Sequence, residues 1–85
     1  MRICLDTSAY TRFKDGHPPV VERVDSAAWV GVPAIVAGEL EIGFRLGRYM
    51  ERNLEELDEF LGRPLVKQVT VDRDVARLYA EIAVD

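Results

Sequence analysis

The chain has 85 residues, of which 48% are hydrophobic and 31% are charged, and this composition is typical of one small folded domain rather than a disordered protein. Its net charge of -4, from 11 Lys and Arg against 15 Asp and Glu, argues against a protein that coats nucleic acid through a broad basic face. The charge does not exclude a nuclease, because a cation bound by acidic residues would offset part of it.

Short apolar runs separated by turn-forming residues define the first half of the chain. Residues 3–5 predict a short buried strand, and residues 8–14 favour a short helix after it. The breaker cluster at residues 15–19 ends that helix. A second helix with a valine-rich face then leads to a second buried strand at residues 28–32.

The third predicted helix carries most of the functional information. Pro33 suits its first turn, where a missing N–H costs nothing. Five positions fall within about 60° of the direction of Glu39 at 3.6 residues per turn: Ile35, Val36, Ile42, Gly43 and Leu46. We therefore expect Glu39 to face the core, whereas Arg45 and Arg48 project away from it. A buried carboxylate must be protonated, paired with a base or bound to a cation.

The second half of the chain continues the alternation of helices and strands. Residues 53–61 favour a fourth helix that begins near Asn53, which forms a capping box with Glu56, and residues 65–71 predict a third strand. Asp72 caps a last helix that reaches Asp85 without a stop signal. The pattern predicts an α/β fold with a parallel sheet flanked by helices. We expect residues 1–85 to form a single domain that lacks its C-terminal part.

Neither targeting signals nor cysteine residues point to a particular function in this sequence. No segment resembles a signal peptide, and the longest uncharged stretch, residues 26–38, is too short to span a membrane. We therefore expect a cytoplasmic protein with no membrane contact. The single cysteine, Cys4, lies in the first strand, where we expect an inert buried thiol.

Asp6 and Glu39 are the candidate metal ligands. Asp6 directly follows the first strand, and open α/β sheets bind their ligands at the carboxyl ends of their strands. Mg²⁺ and Mn²⁺ prefer carboxylate oxygens, and such ions can activate water for phosphodiester cleavage. The competing interpretation of Asp6 is a helix cap. For Glu39, the competing interpretations are a hidden basic partner or a rotated helix.

The run ICLDTS at residues 3–8, followed by PAIVAGELEIG at residues 33–43, resembles a PIN domain of the VapC toxin type. The order and separation of the Asp-Thr-Ser and Glu-Leu-x-x-Gly motifs carry the resemblance, which spans nearly the whole chain. It implies a PIN-like fold and a magnesium-dependent endoribonuclease toxin of a toxin–antitoxin pair, which cleaves RNA by metal-activated water. It also implies that Asp6 and Glu39 are the first two metal-binding acids, and that the partners are an antitoxin protein and a second copy of the chain.

The chain also departs from that family pattern. Family members are longer and supply further acids from a later segment that this chain does not reach. Asp72 and Asp74 are better interpreted as cap and first-turn acids of the last helix. We therefore expect the chain to be weak or inactive alone. The alternative is a noncatalytic truncated toxin that acts as a dimerisation or antitoxin-binding module.

Several other polar residues have two interpretations. Thr7 and Ser8 suit hydrogen bonds to the metal-binding carboxylate and also suit the start of a helix, and both roles can hold at once. Five basic residues either contact RNA phosphates or are ordinary surface charge: Arg12, Lys14, Arg45, Arg48 and Arg52. We assign no role to His17, and we expect Trp29 in the core.

Overall fold

The computed structural model describes residues 1–70, which form a three-stranded parallel sheet and four helices. In chain order the elements are β1 (Arg2–Cys4), α1 (Thr7–Lys14), α2 (Pro18–Ser26), β2 (Trp29–Pro33), α3 (Ala34–Arg45), α4 (Met50–Leu61) and β3 (Val66–Val69). The predicted α/β class with a parallel sheet is confirmed. The predicted last helix, with Asp72, Asp74 and Asp85, lies outside the described residues.

The sheet has the order β1-β2-β3, with both pairs parallel. Ile3 lies opposite Val30, and Gly31 lies opposite Lys67. The Leu5 N–H donates to the Gly31 carbonyl at 2.9 Å, which extends the pairing one residue beyond β1. Because parallel strands end at the same edge of a sheet, Asp6 and the start of α3 emerge at one common edge.

Apolar side chains from the sheet and all four helices form one core. Tyr10 packs edge-to-face on Phe60, with ring centroids 5.4 Å apart, and Phe13 lies 5.2 Å from the same ring. These contacts hold α1 against α4. Cys4 is fully buried, as predicted, whereas Trp29 is only half-buried and has the Arg2 guanidinium over its ring.

The start of α4 differs from the sequence prediction. The helix begins at Met50 rather than near Asn53, and its N-cap Tyr49 forms no side-chain capping bond. The Asn53 N–H already donates to the Tyr49 carbonyl at 2.9 Å, so Asn53 is an interior helical residue. Glu56, predicted to complete the capping box, instead pairs with Lys14 and Arg52. The capping-box prediction was therefore wrong.

Within residues 1–70, none of the helices is long and apolar enough to cross a membrane.

Candidate functional site

Asp6 is half-buried at the carboxyl end of β1 and is the N-cap of α1. Its Oδ1 accepts a hydrogen bond from the Ala9 backbone N–H at 2.6 Å. The backbone at Asp6 is extended, with φ -90° and ψ 178°, which is the usual conformation of an N-cap residue. The cap interpretation of Asp6 is thus confirmed. It leaves Oδ2 without a partner among residues 1–70, so that oxygen is available to a ligand.

The first turn of α1 contributes Thr7 and Ser8 beside this carboxylate. Thr7 is half-buried, Ser8 is exposed, and in residues 1–70 neither side chain hydrogen-bonds to Asp6. The Thr7 carbonyl instead accepts from the Thr11 hydroxyl at 3.0 Å. In the structure, Thr7 and Ser8 therefore form the start of α1.

Glu39 does not face the core, contrary to the sequence prediction. It is exposed, and no Asp, Glu, Lys or Arg within the described residues is buried. The buried side chains of α3 are Val36, Ala37 and Leu40, whose common direction lies about 110° from Glu39 around the helix. The argument that burial forces a cation onto Glu39 is therefore wrong.

The error arises because α3 has two apolar stripes. One stripe is centred on Val36 and Leu40 and packs on the core, with Phe44 half-buried at its end. The other stripe contains Glu39, and its apolar members are exposed: Ile35 at 68%, Ile42 at 63% and Leu46 at 85%. Periodicity alone cannot decide between two apolar faces of one helix, since both satisfy the same spacing.

Asp6 and Glu39 nevertheless come from elements that begin at the same edge of the sheet. Glu39 lies near the middle of α3, which follows β2 directly, and α1 contacts α3. Residues 1–70 show no ion pair to Glu39, and Arg45 pairs with Glu41 at 3.6 Å instead. Within residues 1–70, neither Glu39 nor the Oδ2 atom of Asp6 has an ionic partner.

The two carboxylates of Asp6 and Glu39 are chemically suited to bind a hard divalent cation. Magnesium in proteins is commonly held by one or two carboxylates together with water and substrate oxygens. Asp6 and Glu39 supply two such carboxylates. Within the described part of the chain, no group of three His, Cys, Asp or Glu side chains could hold a metal together.

Sequence reasoning missed a second polar cluster, between the C-terminal end of α1 and α4. Glu56 pairs with Lys14 and, at 3.3 Å, with Arg52. The hydrogen bond from Lys14 is the main cause that lowers the pKa of Glu56 from 4.5. The three residues border a pocket of about 390 Å³ between α1, α3 and α4.

Tyr10 also lines this pocket, and its hydroxyl is buried with no hydrogen-bond partner in residues 1–70. Burial is the main cause that raises the pKa of Tyr10 from 10.0 to about 12, and within this shift the nearby Glu56 carboxylate adds to the effect of burial while Arg63 opposes it. A tyrosine on the buried face of a predicted helix could have signalled this feature, because its ring suits a core but its hydroxyl needs a partner.

Comparison with known structures identifies a similar fold. The chain resembles a chain in the crystal structure of VapBC2 from Rickettsia felis bound to a DNA fragment from their promoter, with a TM-score of 0.69 and 22% sequence identity. The match covers 99% of this chain and spans 65% of the length of that chain. No protein-family model matches the sequence, and no curated protein is significantly similar to it. At this level of identity the similarity shows the fold.

Proposed function

We propose that the chain is a PIN-type endoribonuclease toxin of a toxin–antitoxin pair, in which Asp6 and Glu39 hold Mg²⁺ or Mn²⁺. The observation that carries the proposal is the half-buried Asp6 carboxylate, whose Oδ2 has no partner within residues 1–70, at the sheet edge where α3 begins. The structural similarity to a chain of VapBC2 supports the toxin–antitoxin assignment.

Each acid has a distinct part in the proposed site. The bond from Ala9 to Oδ1 fixes the orientation of the Asp6 carboxylate, so that Oδ2 is held in place for a ligand. Glu39 is exposed and adds a second carboxylate. A bound divalent cation supplies water activation and charge neutralisation at an RNA phosphodiester. We expect binding and cleavage by this chain to be weak, because no third ligand joins these acids in residues 1–70.

Manganese binding by paramagnetic resonance tests the metal site without relying on activity. We expect Asp6→Asn and Glu39→Gln each to weaken Mn²⁺ binding by at least about tenfold, as expected when a ligand is removed. Asparagine caps a helix as well as aspartate does, so Asp6→Asn separates ligation from capping. Glu41→Gln is the matched control on α3, because Glu41 pairs with Arg45.

The Mn²⁺ affinities of the two variants test the two proposed ligands separately. Unchanged Mn²⁺ affinity in Glu39→Gln alone would remove Glu39 from the site, and unchanged affinity in both variants would defeat the metal proposal. Cleavage of RNA by the wild type with Mg²⁺ should disappear in both variants and persist in Glu41→Gln. Cleavage that survives Asp6→Asn would exclude the proposed reaction.

A second candidate function is a noncatalytic module that dimerises or binds an antitoxin. The exposed apolar stripe of Ile35, Ile42 and Leu46 on α3 favours this candidate, because contiguous exposed apolar residues mark contact surfaces. If Asp6→Asn and Glu39→Gln leave Mn²⁺ affinity unchanged while self-association or partner binding persists, the module is the better description. For either function we propose a cytoplasmic location and a homodimer.

A further inference from the structure

The exposed stripe of α3 places one charged residue among apolar ones. Ile35, Ile42 and Leu46 are exposed on one side of the helix. Glu39 is also exposed and lies between them on that side, because it is four residues after Ile35 and three before Ile42. Any contact that covers the apolar residues of this stripe therefore also covers the Glu39 carboxylate.

The spacing of the stripe matches a second copy of itself. Positions 35, 39, 42 and 46 are separated by steps of 4, 3 and 4 residues, so the order of the steps is the same in both directions. When two copies of α3 pack antiparallel about a two-fold axis, Ile35 of one copy lies opposite Leu46 of the other. In the same register Glu39 of each copy lies opposite the apolar Ile42.

The charges along α3 also complement a second copy. The acids Glu39 and Glu41 come first along the chain, and Arg45 and Arg48 follow them. An antiparallel arrangement therefore sets the acidic part of one helix beside the basic end of the other. A partner surface of uniform charge would instead be repelled by one of the two parts, so this pattern favours a second copy.

Glu39 is the feature of the stripe that opposes this contact. Within residues 1–70 no ion pair to Glu39 is present, and Arg45 pairs with Glu41 of its own helix at 3.6 Å. Packing a charged carboxylate against Ile42 removes its water and supplies no hydrogen bond in return, which costs free energy. A cation at the carboxylate offsets that charge.

We propose that a divalent cation at Glu39 controls the self-association of this chain, so that cation-bound copies pair through the exposed stripe of α3 more tightly than cation-free copies. This inference rests on the proposed function, which assigns Glu39 as a metal ligand. Coupling between two binding events is reciprocal, so the dimer should also bind the cation more tightly than the monomer, by the same factor. Metal occupancy and assembly are then linked through one side chain.

Sedimentation equilibrium of the 85-residue chain with and without saturating Mn²⁺ measures this coupling. We expect Mn²⁺ to lower the dimer dissociation constant of the wild type by about tenfold, which is within the usual range for coupling between two sites. Sodium chloride at matched ionic strength is the control, because screening of the net charge of -4 would also favour association.

Glu39→Gln separates the charge from the apolar contact. Glutamine has nearly the same shape as glutamate and no charge, so this variant should dimerise more tightly than the wild type without Mn²⁺. It should also lose the response to Mn²⁺. Glu41→Gln makes the same change of charge on α3 outside the stripe and should keep the response of the wild type. Thermal unfolding checks that both variants fold.

Four outcomes would overturn the proposal. An equal response to Mn²⁺ and sodium chloride would assign the effect to screening, and a dissociation constant raised by Mn²⁺ would mean that the cation displaces an arginine of the second copy from Glu39. A wild type that stays monomeric with Mn²⁺ would exclude the stripe as a self-contact. A response to Mn²⁺ that persists in Glu39→Gln would place the responsible cation elsewhere.

Failure of this inference is distinguishable from failure of the proposed function. If paramagnetic resonance shows that Mn²⁺ binding depends on Glu39 while the dimer dissociation constant does not respond to Mn²⁺, the metal site stands and the coupling is absent. If Mn²⁺ binding does not depend on Glu39, the proposed ligand is lost and the coupling is lost with it.

Discussion

At the scale of single residues, Tyr10 affects stability in two ways, through the packing of its ring and through its buried hydroxyl. Its ring joins α1 to α4 through Phe60, and its hydroxyl, which has no hydrogen-bond partner within residues 1–70, costs about 1 to 3 kcal/mol of folding free energy. This cost is smaller than the loss from removing a buried aromatic ring, about 3 to 5 kcal/mol. The position therefore retains an aromatic residue in the core even without a partner for the oxygen.

The raised pKa of Tyr10 predicts a loss of stability at alkaline pH. The folded protein holds the phenol proton up to about pH 12, whereas the unfolded chain releases it near pH 10.0. The free energy of unfolding should therefore fall as pH rises from 10 through 12, because the unfolded state binds fewer protons. A shift of two pKa units corresponds to about 3 kcal/mol.

Urea unfolding at pH 9 and pH 12 for wild type and Tyr10→Phe measures this effect. Phenylalanine has no proton to release, so the variant should lose less stability than the wild type over this interval. Tyr49→Phe serves as control, because Tyr49 is exposed. Equal losses in wild type and Tyr10→Phe would contradict the raised pKa.

At the scale of secondary-structure elements, two glycines have opposite packing requirements. Gly31 lies in the central strand β2, where an added Cβ would approach Trp29 to 2.5 Å and the Cys4 sulfur to 2.9 Å. Gly38 lies inside α3, where an added Cβ would meet no atom within 4 Å. The same chemical change should therefore destabilise the strand and stabilise the helix.

We expect Gly31→Ala to lower the free energy of unfolding by about 1 to 3 kcal/mol, the usual cost of overpacking. Gly38→Ala should raise it by up to about 1 kcal/mol, because alanine favours helices over glycine by that amount. Chemical denaturation of both variants measures the difference. A stable Gly31→Ala protein would show that the Trp29 ring moves aside at no cost.

The sequence predicted those features that depend on local pattern. Strands β1 and β2 lie within one residue of their predicted bounds and Asp6 follows β1 as predicted, whereas α2 begins at Pro18, inside the predicted breaker cluster of residues 15–19. The prediction of which face of α3 is buried was wrong, because the pair Val36 and Leu40 and the pair Ile35 and Ile42 both show the spacing of an apolar helix face. Only the packing of α3 on β2 and α4 selects between these faces, and that packing is a tertiary property.

The cluster around Glu56 shows the same limit for long-range pairs. Lys14 and Glu56 are 42 residues apart in sequence and meet because α1 packs near α4. Local pattern reasoning instead gave Glu56 to a capping box with Asn53. A capping box involves residues three positions apart, so sequence can propose it without knowing what else the glutamate contacts.

At the scale of the whole molecule, the exposed stripe of α3 predicts self-association. Ile35, Ile42 and Leu46 are all exposed on one side of α3 rather than scattered over the surface, and grouped exposed apolar residues are typical of contact surfaces. In a two-fold symmetric dimer each residue contributes twice, so one substitution acts on both halves of the contact. Glu39 lies within this stripe, so a dimer through α3 would also change the surroundings of a proposed metal ligand.

Sedimentation of wild type, Leu46→Lys and Leu65→Lys tests this contact. Both leucines are exposed, at 85% and 54%, but Leu65 lies before β3 and outside the stripe. We expect Leu46→Lys to raise the dimer dissociation constant by at least about tenfold, because two buried charges would replace two apolar contacts. Leu65→Lys should leave it unchanged. Equal effects of the two substitutions would mean that general hydrophobicity, rather than the α3 stripe, drives the association.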